Sequence, residues 1–128
     1  MALAELMAVV PPPEKPLNSG TSEEWAAAET VLGTRLPGDF REFCTRYGTG
    51  VFNDPGRLRI DIRNPLSPEL HQIIRADRDM LFGLREELGR KYIPYPIFPE
   101  KGGLLLWAID DIAGMLFWLT EGPPDEWP

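Results

Sequence analysis

The chain has 128 residues, 43% apolar and 26% charged, and its 20 acidic and 13 basic residues leave a formal net charge of −7. That profile describes one folded domain able to bury a core and argues against disorder. The acidic balance argues against direct contact with nucleic acid, which calls for a basic face. One cysteine, Cys44, excludes an internal disulfide and suits a reducing cytosol. No apolar stretch approaches the length of a membrane span. The apolar start up to Val10 is interrupted by Glu5 and has no Lys or Arg before it, so it reads poorly as a signal peptide. The expected location is the cytoplasm, away from membranes.

Residues 1–20 read as an N-terminal apolar segment of one or two helical turns followed by a proline-rich linker. Pro11, Pro12, Pro13 and Pro16 remove backbone donors and hold that linker extended. The domain proper spans 21–128. Thr21 is an N-cap with Glu24 three residues on, and predicts a helix over 22–32 with Trp25, Ala28 and Leu32 on one face. Gly33 supplies the left-handed stop. Pro37 opens a second helix, in which Phe40, Phe43, Cys44 and Tyr47 form an apolar stripe ended by Gly48 and Gly50.

Val51-Phe52 opens a strand, and Asn53-Asp54-Pro55-Gly56 is a turn. Leu58, Ile60 and Ile62 alternate with Arg57, Arg59, Asp61 and Arg63, the pattern of a half-buried strand. Ser67 as cap and Pro68 at the first position predict a third, longer helix that ends at Gly89, with Asp77 and Asp79 on its solvated side. Pro94, Pro96 and Pro99 keep the next segment extended, with Ile97-Phe98 as an edge strand. The runs 104–109 and 115–119, joined through Asp110-Asp111, predict a β-hairpin. The tail 121–128 is expected to be irregular. The order is helix, helix, strand, strand, helix, strand, strand: an α+β fold with an antiparallel sheet flanked by helices.

Chemistry-bearing constellations are sparse. His71 is the single histidine, and it has no second histidine or cysteine beside it to build a metal site or a catalytic pair. Cys44 sits in an apolar stripe and reads as a core thiol. Asp110-Asp111 is the one acidic pair in a turn, without a third ligand at metal spacing. Gly48-x-Gly50 and Gly102-Gly103 lack the context of a phosphate loop. The expectation is therefore no catalytic residues, no metal and no cofactor. A small enzyme using Asp110, Asp111 or His71 is the weakest of the readings.

The run Trp25…Glu29…Leu32-Gly33-Thr34-Arg35-Leu36-Pro37-Gly38-Asp39-Phe40-Arg41-Glu42-Phe43…Tyr47-Gly48-Thr49-Gly50 resembles the N-terminal motif of the SUKH superfamily. The later runs Pro99 to Trp107, Gly114 to Leu119 and Trp127-Pro128 resemble the central hairpin of its bacterial members. This resemblance implies a SUKH-like α+β fold without catalysis. It also implies one of two roles: an immunity protein that neutralises a polymorphic toxin, often a nuclease, or an intracellular regulator or scaffold of the fungal cell-wall type. Bacterial members usually continue past the Trp-Pro position with one or two strands and a last helix, so either this sequence is a truncated form or those elements are absent. If they are absent, the hairpin edge or one face of the sheet is expected to be exposed, and pairing into a homodimer would cover it.

Charge places the expected contact surface. From Pro99 onward there are six acids and one base, so this region holds five of the seven net negative charges. The partner-binding candidates are Glu100, Asp110, Asp111, Glu121, Asp125 and Glu126, with Trp127 as an apolar anchor. The expected partner is a basic toxin domain, since matched charge speeds encounter and fixes orientation.

Overall fold

A computed structural model describes residues 2–112 and 114–128, and the side chains of all of these but Ala2, Leu70 and His71. The elements in chain order are α1 (Ala2–Val9), α2 (Ser22–Leu32), α3 (Gly38–Tyr47), β1 (Val51–Asp54), β2 (Leu58–Ile62), α4 (Leu70–Leu88), β3 (Leu104–Asp110) and β4 (Met115–Leu119), then a 3-10 turn at Pro124–Glu126. The four strands form one antiparallel sheet in the order β1-β2-β3-β4. The expected α+β class is the observed one.

Local signals set the first two domain helices. Thr21 Oγ1 accepts from the Glu24 N–H at 3.3 Å, satisfying a donor that the start of α2 leaves unpaired. Gly33 closes α2 with φ 86°, and its N–H donates to the Glu29 carbonyl. The Glu29 carboxylate then accepts from the Leu36 N–H at 2.7 Å, which fixes the tight turn into α3. Gly48 ends α3 with φ 67°, and a Cβ there would collide with the Leu17 backbone, so this position requires glycine on both counts.

Helices α2 and α3 supply Trp25, Leu32, Phe40 and Cys44 to the core, which meet Leu36 and the sheet residues Ile62, Leu105 and Ala108. Register explains the sheet's contribution. Leu105 stands opposite Trp118, and Ala108 stands opposite both Leu116 and Ile62. The register shifts between Leu106 and Ala108, leaving Trp107 as the extra residue of a bulge. Counting alternation through the bulge puts Trp107 and Ala108 on the same face, toward α3. Phe40 accordingly meets Trp107 edge-on at 6.0 Å and Trp118 at 4.8 Å between ring centroids.

Three expectations need correction. Ser67 and Pro68 do not start α4. The helix begins at Leu70 after Glu69, with no side-chain cap. Buried Asn64 controls the approach: its carboxamide accepts from the Leu66 N–H and donates to the Asn18 carbonyl and Thr49 Oγ1, so residues 64–67 close as a turn first. Ile97-Phe98 does not extend the sheet as a strand and makes one isolated bridge, Ile97 to Leu104, because the flanking prolines cannot donate to a ladder. Asp77 is not on a solvated face, since it takes a two-point pair from Arg63 at 3.1 and 3.3 Å. Arg85 and Glu100 form a second such pair, and together these two hold α4 to the chain on either side of it.

Candidate acidic face around the β3–β4 hairpin

The hairpin turn is organised by Asp110. Its carboxylate accepts from the Ile112 N–H at 3.0 Å and from the Gly114 N–H. The carboxylate fills the space that a Cβ on Gly114 would need, so the turn admits glycine there. Asp111 ties the turn to β2: its N–H donates to the Arg59 carbonyl and its carboxylate accepts from the Arg59 N–H at 3.3 Å. Ala113 lies outside the described residues.

Glu100 is committed in the same way. It binds Arg85 at 2.7 and 3.3 Å and accepts from the Ile97 N–H at 2.7 Å. The Arg85 hydrogen bonds, then the Ile97 amide, hold its carboxyl below the ordinary carboxylate range. Asp125 reaches back across 87 residues to accept from the Gly38 N–H at 2.7 Å. It therefore supplies the side-chain cap that Pro37 cannot give α3, and it places an anion at the positive end of the helix.

Trp127 packs inward. Its ring lies 6.0 Å from that of Trp118, and its Nε1–H donates to the Gly122 carbonyl at 3.0 Å. This ordering folds the tail 124–128 back beside β4, where the Pro128 carbonyl accepts from the Leu119 N–H. The expected irregular tail thus contains a 3-10 turn at Pro124–Glu126.

The seven candidates separate into two groups. Glu100, Asp110, Asp111, Asp125 and Trp127 each make bonds that shape the fold. Glu121 and Glu126 are exposed and make no side-chain hydrogen bond or ion pair among the described residues. Three apolar side chains of the hairpin are also exposed: Ile112 at 73%, Leu116 at 40% and Met115 at 36% exposure. Sequence reading missed these three as surface features, because Met115 and Leu116 belong to an apolar run that reads as a buried strand and Ile112 sits in the turn beside it.

Among the described residues, no group of three or more His, Cys, Asp or Glu side chains converges as a metal site. The His71 side chain lies outside those described. Cys44 is fully buried, and burial pushes its thiol up to about 12, so it stays protonated at neutral pH. A cavity of ≈ 120 Å³ between α2, α4 and the sheet is lined by Val31, Leu36, Ile74, Leu81 and Leu105, with the Arg63–Asp77 pair at its wall. A wider open groove of ≈ 660 Å³ runs between the N-terminal prolines and β1, floored by Phe43, Tyr47, Phe52 and Ile60. Among the described residues, no helix is long and apolar enough to cross a membrane. Compared with protein-family models, curated proteins and solved structures, the chain matches none.

Proposed function

We propose that this chain is a non-catalytic binding protein of SUKH type, an immunity protein that neutralises a basic toxin domain in the cytoplasm by direct contact. The observation that carries the reading is the exposed surface of the β3–β4 hairpin and the segment after it. Ile112, Met115 and Leu116 are exposed apolar side chains, and the exposed acids Glu121 and Glu126 that follow β4 make no side-chain bond among the described residues. Exposed apolar side chains with unpaired charge on the same stretch of chain suit a protein interface, and the negative sign suits a basic partner. The single thiol, buried and protonated, fits a reducing compartment.

Co-expression tests it. A toxin domain encoded beside this gene should arrest growth when expressed alone and should be silenced when this chain is expressed with it. The double variant Glu121→Lys/Glu126→Lys should weaken capture of the toxin by roughly tenfold at low salt, and by less at high salt. Failure of the wild-type chain to rescue growth rejects the reading.

The alternative is a regulatory or scaffold protein of the cell-wall-regulator type. It is favoured by the N-terminal segment, where Pro11 and Pro13 are exposed and wall the ≈ 660 Å³ groove. Proline runs of this kind dock into aromatic grooves at low entropic cost. Deleting residues 1–16 would abolish partner capture under this alternative and leave it intact under the immunity reading.

A further inference from the structure

Strand β4 is the last strand of the sheet, and its outer flank is open over most of its length. The Gly114 carbonyl accepts from the Asp110 N–H at 3.0 Å, and the Thr120 N–H donates to the Gly103 carbonyl at 3.0 Å. Even-numbered residues of β4 therefore turn their backbone groups toward β3. Leu119 turns the other way, donating to the Pro128 carbonyl at 3.3 Å. Alternate residues of a strand share a direction, so Met115 and Phe117 point their N–H and C=O groups away from the sheet. The folded-back tail covers this flank at Leu119, and no bond from the turns or loops reaches the amides of Met115 and Phe117 among the described residues.

The strand reads Met-Leu-Phe-Trp-Leu. It has no charge and no proline, and the bulge lies on β3, so the usual devices that blunt an edge are missing from it. Its surroundings say what kind of chain would pair with it. Asp111, before one end, is bonded to Arg59 of β2 on the far side of β3, whereas Glu121 follows the other end with Glu126 in the tail after it. A second copy of this chain carries the same net charge of −7, which opposes pairing. A segment with an apolar, alternating centre and Lys or Arg at the end that meets Glu121 satisfies backbone and charge together.

We propose that the open flank of β4, at Met115 and Phe117, binds an extended segment of a partner protein as a fifth strand, with basic residues at one end of that segment meeting Glu121. This rests on the reading of the chain as a binder of a basic protein, and it identifies the element of that partner which is grasped. Main-chain bonds supply affinity in this mode, and side chains and charge supply selection.

The test uses the full chain and a synthetic nonapeptide of alternating valine and threonine with two lysines at each end, compared with the same peptide carrying glutamates there. Amide exchange followed by NMR should show Met115 and Phe117 exchanging freely in the protein alone. The lysine peptide should slow both by roughly tenfold or more, and the glutamate peptide should not. Phe117→Pro, which removes the outward N–H, should abolish the protection. Phe117 is half-buried, so Met115→Lys serves as a second variant. It keeps the strand and adds a repelling cation, and should weaken peptide binding about tenfold at an unchanged urea midpoint. Equal binding of both peptides, binding of neither, or a dimer with these amides already protected would overturn the proposal. If Met115→Lys still captures a toxin domain at full affinity, the edge is rejected and the immunity reading survives. If the peptide binds as expected but no toxin is neutralised, the edge site survives and the immunity reading is rejected.

Discussion

The outer strands β1 and β4 bound the same sheet but are built differently. Strand β1 has four residues, ends in Asn53 and Asp54, and runs into the Pro55-Gly56 turn. The N-terminal segment borders it, with Tyr47 Oη donating to the Val10 carbonyl at 2.6 Å and the Thr49 N–H donating to the Leu17 carbonyl at 2.6 Å. Strand β4 has five residues, all apolar, and is bordered by the tail at one end. The rings around them form two groups joined by the stacking of Phe40 on Phe43 at 6.2 Å. Phe43, Tyr47 and Phe52 pack at β1, while Phe40, Trp107, Trp118 and Trp127 pack at β4. The difference teaches that one edge is blunted by its short length, its polar end and its proline turn, and the other is anchored from below and left open at its side.

The largest expected effect comes from Phe40→Ala. Phe40 is buried against Trp107 and Trp118, and its truncation should cost about 3–5 kcal/mol in urea unfolding. It should speed amide exchange in β4 more than in β1, whereas equal loosening would mean that the two aromatic groups act as one unit. Phe52→Ala probes the other side. Because Phe52 is half-buried, the loss should be nearer to about 1–2 kcal/mol, with β1 loosened first.

Asp125→Ala removes the cap on α3 that also pins the tail beside β4. It should cost about 1 kcal/mol and change the fluorescence of Trp127 as the tail loosens. If stability falls and Trp127 stays unchanged, the contacts of Trp127 with Trp118 and Gly122 and the Leu119–Pro128 bond hold the tail without the cap. Glu100→Gln belongs to neither edge and serves as the control. The native carboxyl titrates below its ordinary value of 4.5, so its contribution is complete above that value and is lost as pH falls through the lowered one. The variant should lose stability in acid less steeply than the wild type, with both edges affected alike.

Much of the fold was legible because its signals are short-range. The cap Thr21 and the stop Gly33 lie within one turn of α2, and its observed limits are those expected. The alternation of Leu58, Ile60 and Ile62 and the two runs of the hairpin specify strands whichever neighbours they meet. The start of α4 was misread because Ser67 and Pro68 form a valid local signal that the distant partners of Asn64, Asn18 and Thr49, override. The bulge at Trp107 was invisible, since a two-residue repeat gives no sign that one residue is extra.

The candidate site was half legible. Composition alone located the acidic third of the chain, and the resemblance in its motifs suggested binding over catalysis. Helix caps, strand alternation and charge are properties of neighbouring residues, so the sequence by itself determined the elements, the α+β class and the sign of the surface. It did not determine which acids are spent on the fold. Asp125 meets Gly38 across 87 residues, and Glu100 meets Arg85 across 15. Only the tertiary structure, by bringing such distant groups within hydrogen-bond reach, left Glu121 and Glu126 without a side-chain partner among the described residues and one apolar edge of the sheet open ahead of them.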